Sequence, residues 1–243
     1  MSSVTQVINF IKQSLNNLPF DNHNLTDEEG LVRHVPDWIH FYSPKELLHD
    51  MPPDVGNEVS GMVLGLYQPM NSPGVITLNQ DNLKRFYWSV VREISRSLPG
   101  LPFSRQDLEF LVDFIVLKTW HHELFHHSME VMRHLVNGQA YTPDEEPLAV
   151  AYSRQCLRDN AWNSKVGRLG KVVYNLVMDI AFDCYPAPYR DWPRYDAPER
   201  LKRGIVDLLQ PTHRVFLENS GVPVSDVLFR LIPIDNGFHE RFI

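Results

Sequence analysis

Residues 104–138 read SRQDLEFLVDFIVLKTWHHELFHHSMEVMRHLVNG. No proline or glycine interrupts the run before Gly138, so it predicts one long helix over about 105–137. Ser104 can cap its start, with Asp107 three residues on as the capping-box partner, and Gly138 is a suitable C-terminal cap. The second half of this helix carries His122, Glu123 and His126. Positions i and i+4 lie one above the other on a helix, so the two imidazoles can converge on a single cation. Glu123 then stands within reach of a water held by that cation. Leu117, Leu124, Phe125 and Met129 give the same stretch an apolar side to bury.

The flanking polar residues point elsewhere. His121 and His127 face other directions from the ligand pair. Glu130 and His134 continue the stripe from His126, but each four-residue step drifts by about 40° at ~100° per residue. They extend a polar groove rather than the ion's own surroundings.

Before this helix the chain alternates strand and turn signals. Met62 to Tyr67 and Val75 to Leu78 are rich in strand formers, and Pro69, Asn71, Ser72, Pro73 and Gly74 between them supply a turn, which predicts a β-hairpin. Residues 79–97 read as an amphipathic helix, and Pro99-Gly100-Leu101-Pro102 ends it. An amphipathic helix is also expected within Met1 to Leu18.

Beyond Gly138, Thr142-Pro143-Asp144-Glu145 offers a cap, a proline at the first helical position and an acid at the third. A helix is expected from Pro143 to about Arg158, another over about 164–183, and a short one over 199–209. Tyr185 to Pro198 forms an aromatic, proline-rich connector, and Val227 to Ile234 is a predicted strand. The fold class that follows is α+β and mostly helical, with a small antiparallel sheet or hairpin packed on the long helix. Residues 1–198 are taken as one domain with an N-terminal helical extension, and 199–243 as a small C-terminal lobe or an extension of the same domain.

Composition bounds the function. The 243 residues are 43% hydrophobic and 22% charged, ordinary for a soluble globular chain. A net charge of −7 argues against a nucleic-acid partner, since phosphate binding needs clustered positive charge. No apolar run reaches the roughly 20 residues that span a bilayer, and the N-terminus lacks a secretory pattern, so no membrane partner is expected and a cytoplasmic location is. Two cysteines, Cys156 and Cys184, lack C-x-x-C spacing and are read as buried small hydrophobes.

Two histidines on one helix turn and an adjacent glutamate form the H-E-x-x-H pattern of zinc hydrolases, with Glu123 as the general base. Zn2+ needs a third protein ligand. A histidine at position 132 with glycine at 129 would supply it in one arrangement, but both are methionine here. The other arrangement takes a carboxylate from the following helix. Glu146 lies 20 residues after His126 and would return alongside it through a tight turn at 138–142. Glu145 competes, but it is the natural capping-box residue for Thr142, which leaves Glu146 for the ion.

With these residues the chain resembles a gluzincin, the zincin metallopeptidase branch that uses two histidines and a glutamate. Glu146-Pro147-Leu148-Ala149 resembles the E-x-x-A segment that presents the third ligand in several such families. The order hairpin, helix, motif helix, glutamate helix resembles the small zincin core of ImmA/IrrE-type peptidases. The resemblance covers about residues 59–158 and is specific at four positions. It implies metal ligands His122, His126 and Glu146, catalytic Glu123, and an edge strand above the motif helix that binds the substrate backbone, for which Val75 to Leu78 is the candidate. The E-x-x-x-D continuation is absent, because position 150 is valine, so the orienting partner of the first histidine must come from elsewhere. Asp179 is the candidate.

The function expected is a zinc-dependent metallopeptidase acting on a protein or peptide substrate, with oligomeric state left open. Tyr141, Tyr152, Tyr189, Tyr195 and His239 are all chemically suited to stabilise the oxyanion. Two alternatives stand beside it. Glu123-Leu124-Phe125-His126 and Glu46-Leu47-Leu48-His49 are both E-x-x-H pairs, as in di-iron carboxylate oxidases, although a four-helix bundle fits the hairpin poorly. A zincin fold retained only as a binding module is the other.

Overall fold

A 31-residue helix runs through the computed structural model; the hairpin and the helices before and after it pack on that helix, and the most C-terminal described elements pack on the 146–157 helix that follows it. The structure describes residues 4–18, 41–42, 45, 47–48, 63–68, 75–100, 103–135, 143–158 and 189–208. In chain order the elements are α1 (Val4–Gln13), a 3-10 turn (Ser14–Asn17), β1 (Phe41–Tyr42), β2 (Gly65–Gln68), β3 (Val75–Leu78), α2 (Gln80–Ser97), β4 (Phe103–Ser104) and α3 (Arg105–Leu135). Another 3-10 turn (Pro143–Glu145), α4 (Glu146–Leu157), a third 3-10 segment (Tyr189–Tyr195) and α5 (Pro198–Leu208) follow. The architecture is α+β and mostly helical. No helix among the described residues is long and apolar enough to cross a membrane.

The start of α3 is the expected capping box. Ser104 Oγ accepts the Asp107 backbone N–H at 3.1 Å, and Asp107 Oδ2 accepts the Ser104 N–H at 2.9 Å. Two otherwise orphaned donors are satisfied reciprocally, which fixes the first turn. At ~1.5 Å per residue the helix is about 46 Å long. Its first half buries Leu108, Leu111, Val112, Phe114, Ile115 and Val116. Each such side chain contributes about 1.5–3 kcal/mol on leaving water.

Two helices cover that half. α1 sets Val7 and Ile11 into the core, with Lys12 paired to Asp113 at 2.7 Å on the rim. α2 begins at Asn79, whose Oδ1 accepts the Asn82 N–H at 3.1 Å, and buries Leu83, Phe86, Tyr87, Val90, Val91 and Ile94. Leu98 closes it, and Pro99 cannot extend it.

The hairpin forms where strand signals predict it. β2 and β3 are antiparallel with Gly65 opposite Leu78 and Gln68 opposite Val75, and both strands pack on α3. The Asn79 N–H donates to the Leu64 carbonyl at 2.9 Å. In an antiparallel ladder hydrogen-bonded and non-hydrogen-bonded pairs alternate, so Leu64, Leu66 and Gln68 turn their backbone groups to β3. Gly65 and Tyr67 turn theirs to the outer edge, which pairs with no strand among the described residues. A second, two-residue ladder that the sequence did not announce joins β1 to β4, Phe41 opposite Ser104.

On the far side of α3, the expected helix from Pro143 divides. Pro143–Glu145 is a 3-10 turn, and α4 proper starts at Glu146 with Pro147 inside its first turn. α4 lies along the second half of α3; Ser153 Oγ donates to the Lys118 carbonyl at 2.7 Å across the seam. α5 packs on α4 so closely that a Cβ on Gly204 would lie 2.5 Å from Leu148 Cδ2. Gly138, Thr142, the expected helix 164–183, Cys184 and the strand Val227 to Ile234 lie outside the described residues.

Candidate metal centre

Burial along the second half of α3 changes character. Lys118, Thr119, His121, His122, Glu123, His126 and Ser128 are all buried. Withdrawing so many polar groups from water costs free energy unless each is engaged, so such a concentration marks a site.

Three ligand atoms meet there. His122 Nε2 lies 3.2 Å from His126 Nε2, His122 Nε2 lies 3.1 Å from Glu146 Oε2, and His126 Nε2 lies 3.5 Å from the same oxygen. A tetrahedral ion with bonds of ~2.0–2.1 Å spaces its ligands about 3.3 Å apart. The triangle therefore has the dimensions of one face of that tetrahedron. Two facing imidazole nitrogens with a carboxylate oxygen beside both are a chelating set. Among the described residues this is the one cluster of at least three histidine, cysteine or acidic side chains able to hold a metal. Glu46 and His49, the second pair of the di-iron alternative, lie outside the described residues.

Charge and tautomer follow from the neighbours. Burial disfavours the ionised Glu146 carboxyl, but hydrogen bonds from His122 and His126 outweigh it and hold the group well below the usual carboxylate range. Glu146 is thus an anion ready for a cation. Glu123 behaves oppositely. Burial pushes its carboxyl up, against the pull of His122 and His126, with Glu146 pushing the same way as burial and Lys118 opposing. A carboxylate made more basic beside a ligand triangle suits proton transfer.

Glu145 takes a role the sequence reading did not give it. Its wholly buried carboxylate accepts from His126 Nδ1 at 2.8 Å through Oε1 and forms an ion pair with Arg133 through Oε2. The adjacent glutamates thus bracket one imidazole, Glu145 at Nδ1 and Glu146 near Nε2. A carboxylate on the far nitrogen fixes the tautomer that presents the near nitrogen's lone pair to a metal. The orienting group sought for the first histidine is found on the second. Asp179 lies outside the described residues.

The hairpin closes one wall. A Cβ added at Gly65 would lie 2.8 Å from Thr119 Cγ2 and 2.9 Å from Glu123 Oε1, so β2 rests directly on the Glu123 carboxylate. Glycine is required there for that approach. One step on, the Tyr67 ring meets the His127 ring edge-on at 5.6 Å. The strand thus runs along α3 from Glu123 to His127.

Of the three oxyanion candidates among the described residues, Tyr189 is the one brought to the triangle. Its ring stacks on His122 at 5.9 Å, and its hydroxyl donates to Glu146. Burial and the nearby Glu146 charge push its pKa up, so it stays protonated and able to donate. The connector is held in place by α4: Arg154 lies over the Trp192 ring at 4.4 Å, Arg158 pairs with Asp196 at 2.7 Å, and Gln155 donates to the Tyr195 carbonyl at 3.2 Å. Tyr152 sits instead in the core, against Phe125 and His121, and Tyr195 packs at Gly204. Tyr141 and His239 lie outside the described residues.

His121, His127 and Glu130 are not part of the ligand cluster. His121 is pulled down to about 4 by burial and is neutral. Cys156 is no ligand; burial pushes its thiol up to about 12, with a hydrogen bond to Tyr152. Sequence reasoning missed Arg133, Lys118 and Gly65. Arg133 stands seven residues after His126, two turns along the same face, a spacing that could have revealed it. A glycine inside a strand-rich run was the available signal for Gly65.

No family model, no curated protein and no solved structure matches this chain.

Proposed function

We propose that the chain is a zinc-dependent metallopeptidase of the gluzincin kind, with a zincin-like core formed by the hairpin, α3 and α4. The observation that carries the reading is the buried triangle of His122, His126 and Glu146 with Glu123 alongside. Two imidazole nitrogens, one carboxylate and an adjacent base are the donor set of a catalytic zinc site rather than a closed structural one. A zinc ion held there supplies a Lewis acid for the scissile carbonyl and draws the pKa of water toward neutrality.

The chain's own groups account for the remaining chemistry. Glu123 accepts a proton from the attacking water and delivers it to the departing amine, the task for which a raised carboxylate pKa is suited. Tyr189, protonated and adjacent to Glu146, turns its single O–H from that carboxylate to the oxyanion as charge develops there. Substrate backbone adds to the outer edge of β2, where Gly65 and Tyr67 offer N–H and C=O groups. That strand replaces Val75 to Leu78 in this role, because β2 is the one whose glycine rests on Glu123. A narrow protein or peptide substrate in the cytoplasm is the setting we infer.

The test combines metal content and hydrolysis. The purified chain should carry one zinc, cleave a member of a diverse peptide library, and lose cleavage but not zinc in Glu123→Gln. Two irons with visible absorbance would favour the oxidase alternative. A biological effect that survives Glu123→Gln would favour the binding module.

A further inference from the structure

We propose that Arg133 is a positioning residue of the metal site, acting through Glu145 to set His126 as a ligand. The proposal rests on the reading of His122, His126 and Glu146 as a metal centre.

Glu145 and Glu146 are consecutive, identical in chemistry, and both close to the His126 ring. Something must decide which of them serves the ion. Glu145 has no exposure to solvent, so its charge needs a cation beside it. Arg133 is that cation, ion-paired to Glu145 Oε2 while Oε1 stays on His126 Nδ1 at 2.8 Å. The guanidinium thus holds the carboxylate at the back of the ring and out of the triangle. His126 must then donate from Nδ1 and turn its Nε2 lone pair toward His122 and Glu146. The arginine touches neither ion nor substrate. Its influence runs through one carboxylate and one imidazole.

Local charge supports the assignment. Glu123, Glu145 and Glu146 put three acids around two imidazoles, all buried. With Arg133 committed to Glu145, that acid is balanced within the protein, and Glu146 remains as the one anionic ligand of the triangle. Removing the guanidinium frees Glu145 from its place behind the ring.

Zinc dissociation constants of the full-length chain, measured by chelator competition, test this. Arg133→Met and Glu145→Gln should each weaken binding roughly 10–100-fold, the usual cost of losing a group that orients a ligand. Arg133→Lys should recover part of the loss. The double variant should bind no more than about threefold weaker than Glu145→Gln alone, because both changes interrupt one path. Cobalt substituted into Arg133→Met should show a weaker four-coordinate visible band than the parent. Parent-like zinc affinity in Arg133→Met, or penalties that multiply in the double variant, would overturn the proposal. If Arg133→Met does not fold, Arg133→Lys combined with Glu145→Gln gives the same comparison with the same two outcomes. A parent chain that binds no zinc at all refutes the metal centre itself, which is a different result.

Discussion

From Leu108 to Leu117, α3 buries leucine, valine, isoleucine and phenylalanine against α1 and α2; from Lys118 to Ser128 it buries lysine, threonine, histidine, glutamate and serine against α4 and the hairpin. One helix with continuous backbone geometry thus serves two purposes. The first half gains free energy from leaving water. The second half costs free energy that the first half and its neighbours must offset, and in return holds titratable groups in fixed mutual geometry. Stability and chemistry are therefore separable along the same element, and substitutions can expose the division.

The largest separation should come from Glu123→Gln. Hydrolysis should fall by roughly 10²–10⁴-fold, the usual contribution of a positioned acid–base group, while zinc content and melting temperature stay near the parent's. Phe114→Ala is its counterpart in the first half. It should cost about 3–5 kcal/mol in denaturant unfolding, yet leave the zinc affinity of the folded fraction unchanged. A loss of zinc affinity in Phe114→Ala would mean that the halves are coupled after all.

Tyr189→Phe follows. With the hydroxyl gone, kcat should drop by about 10²–10³ if it stabilises the oxyanion, with little change in stability. Gly65→Ala sharpens the comparison from the hairpin side. The added methyl meets Thr119 and Glu123, and overpacking of this kind costs about 1–3 kcal/mol. Because Glu123 is one of the atoms displaced, the variant should lose more activity than its stability loss alone accounts for. The smallest change tests the seam behind the site. In a Cys184→Ser background at pH 8, Cys156 should alkylate on the order of a thousandfold more slowly in the native chain than in the unfolded one, since burial holds it as a thiol.

What could be read beforehand divides along physical lines. The capping box at Ser104 and Asp107, the helix it opens, the hairpin and the triangle partners His122, His126 and Glu146 are local or short-period patterns, and sequence displays those directly. Glu146 was reached by setting Glu145 aside for a cap at Thr142, which lies outside the described residues; the contacts of Glu145 with His126 and Arg133 had no part in that reasoning. Arg133 and Gly65 act through contacts between elements, which no window of sequence contains. The choice of Tyr189 depends on how Arg154, Gln155 and Arg158 fasten a connector some 30 residues downstream. Composition could propose five donors and had no means of selecting one. The pairing of β1 with β4 joins residues about 60 apart and likewise left no local trace.

Glu145 and Glu146 share a peptide bond at the junction where a 3-10 turn becomes an α-helix. Successive side chains there diverge by roughly 100–120°, so the pair acts as a see-saw pivoted on that bond. Any tilt that carries one oxygen toward the ion swings the other away from the ring it steadies. The grip of Arg133 on one glutamate is therefore felt at its neighbour, because both carboxylates lean on the same imidazole.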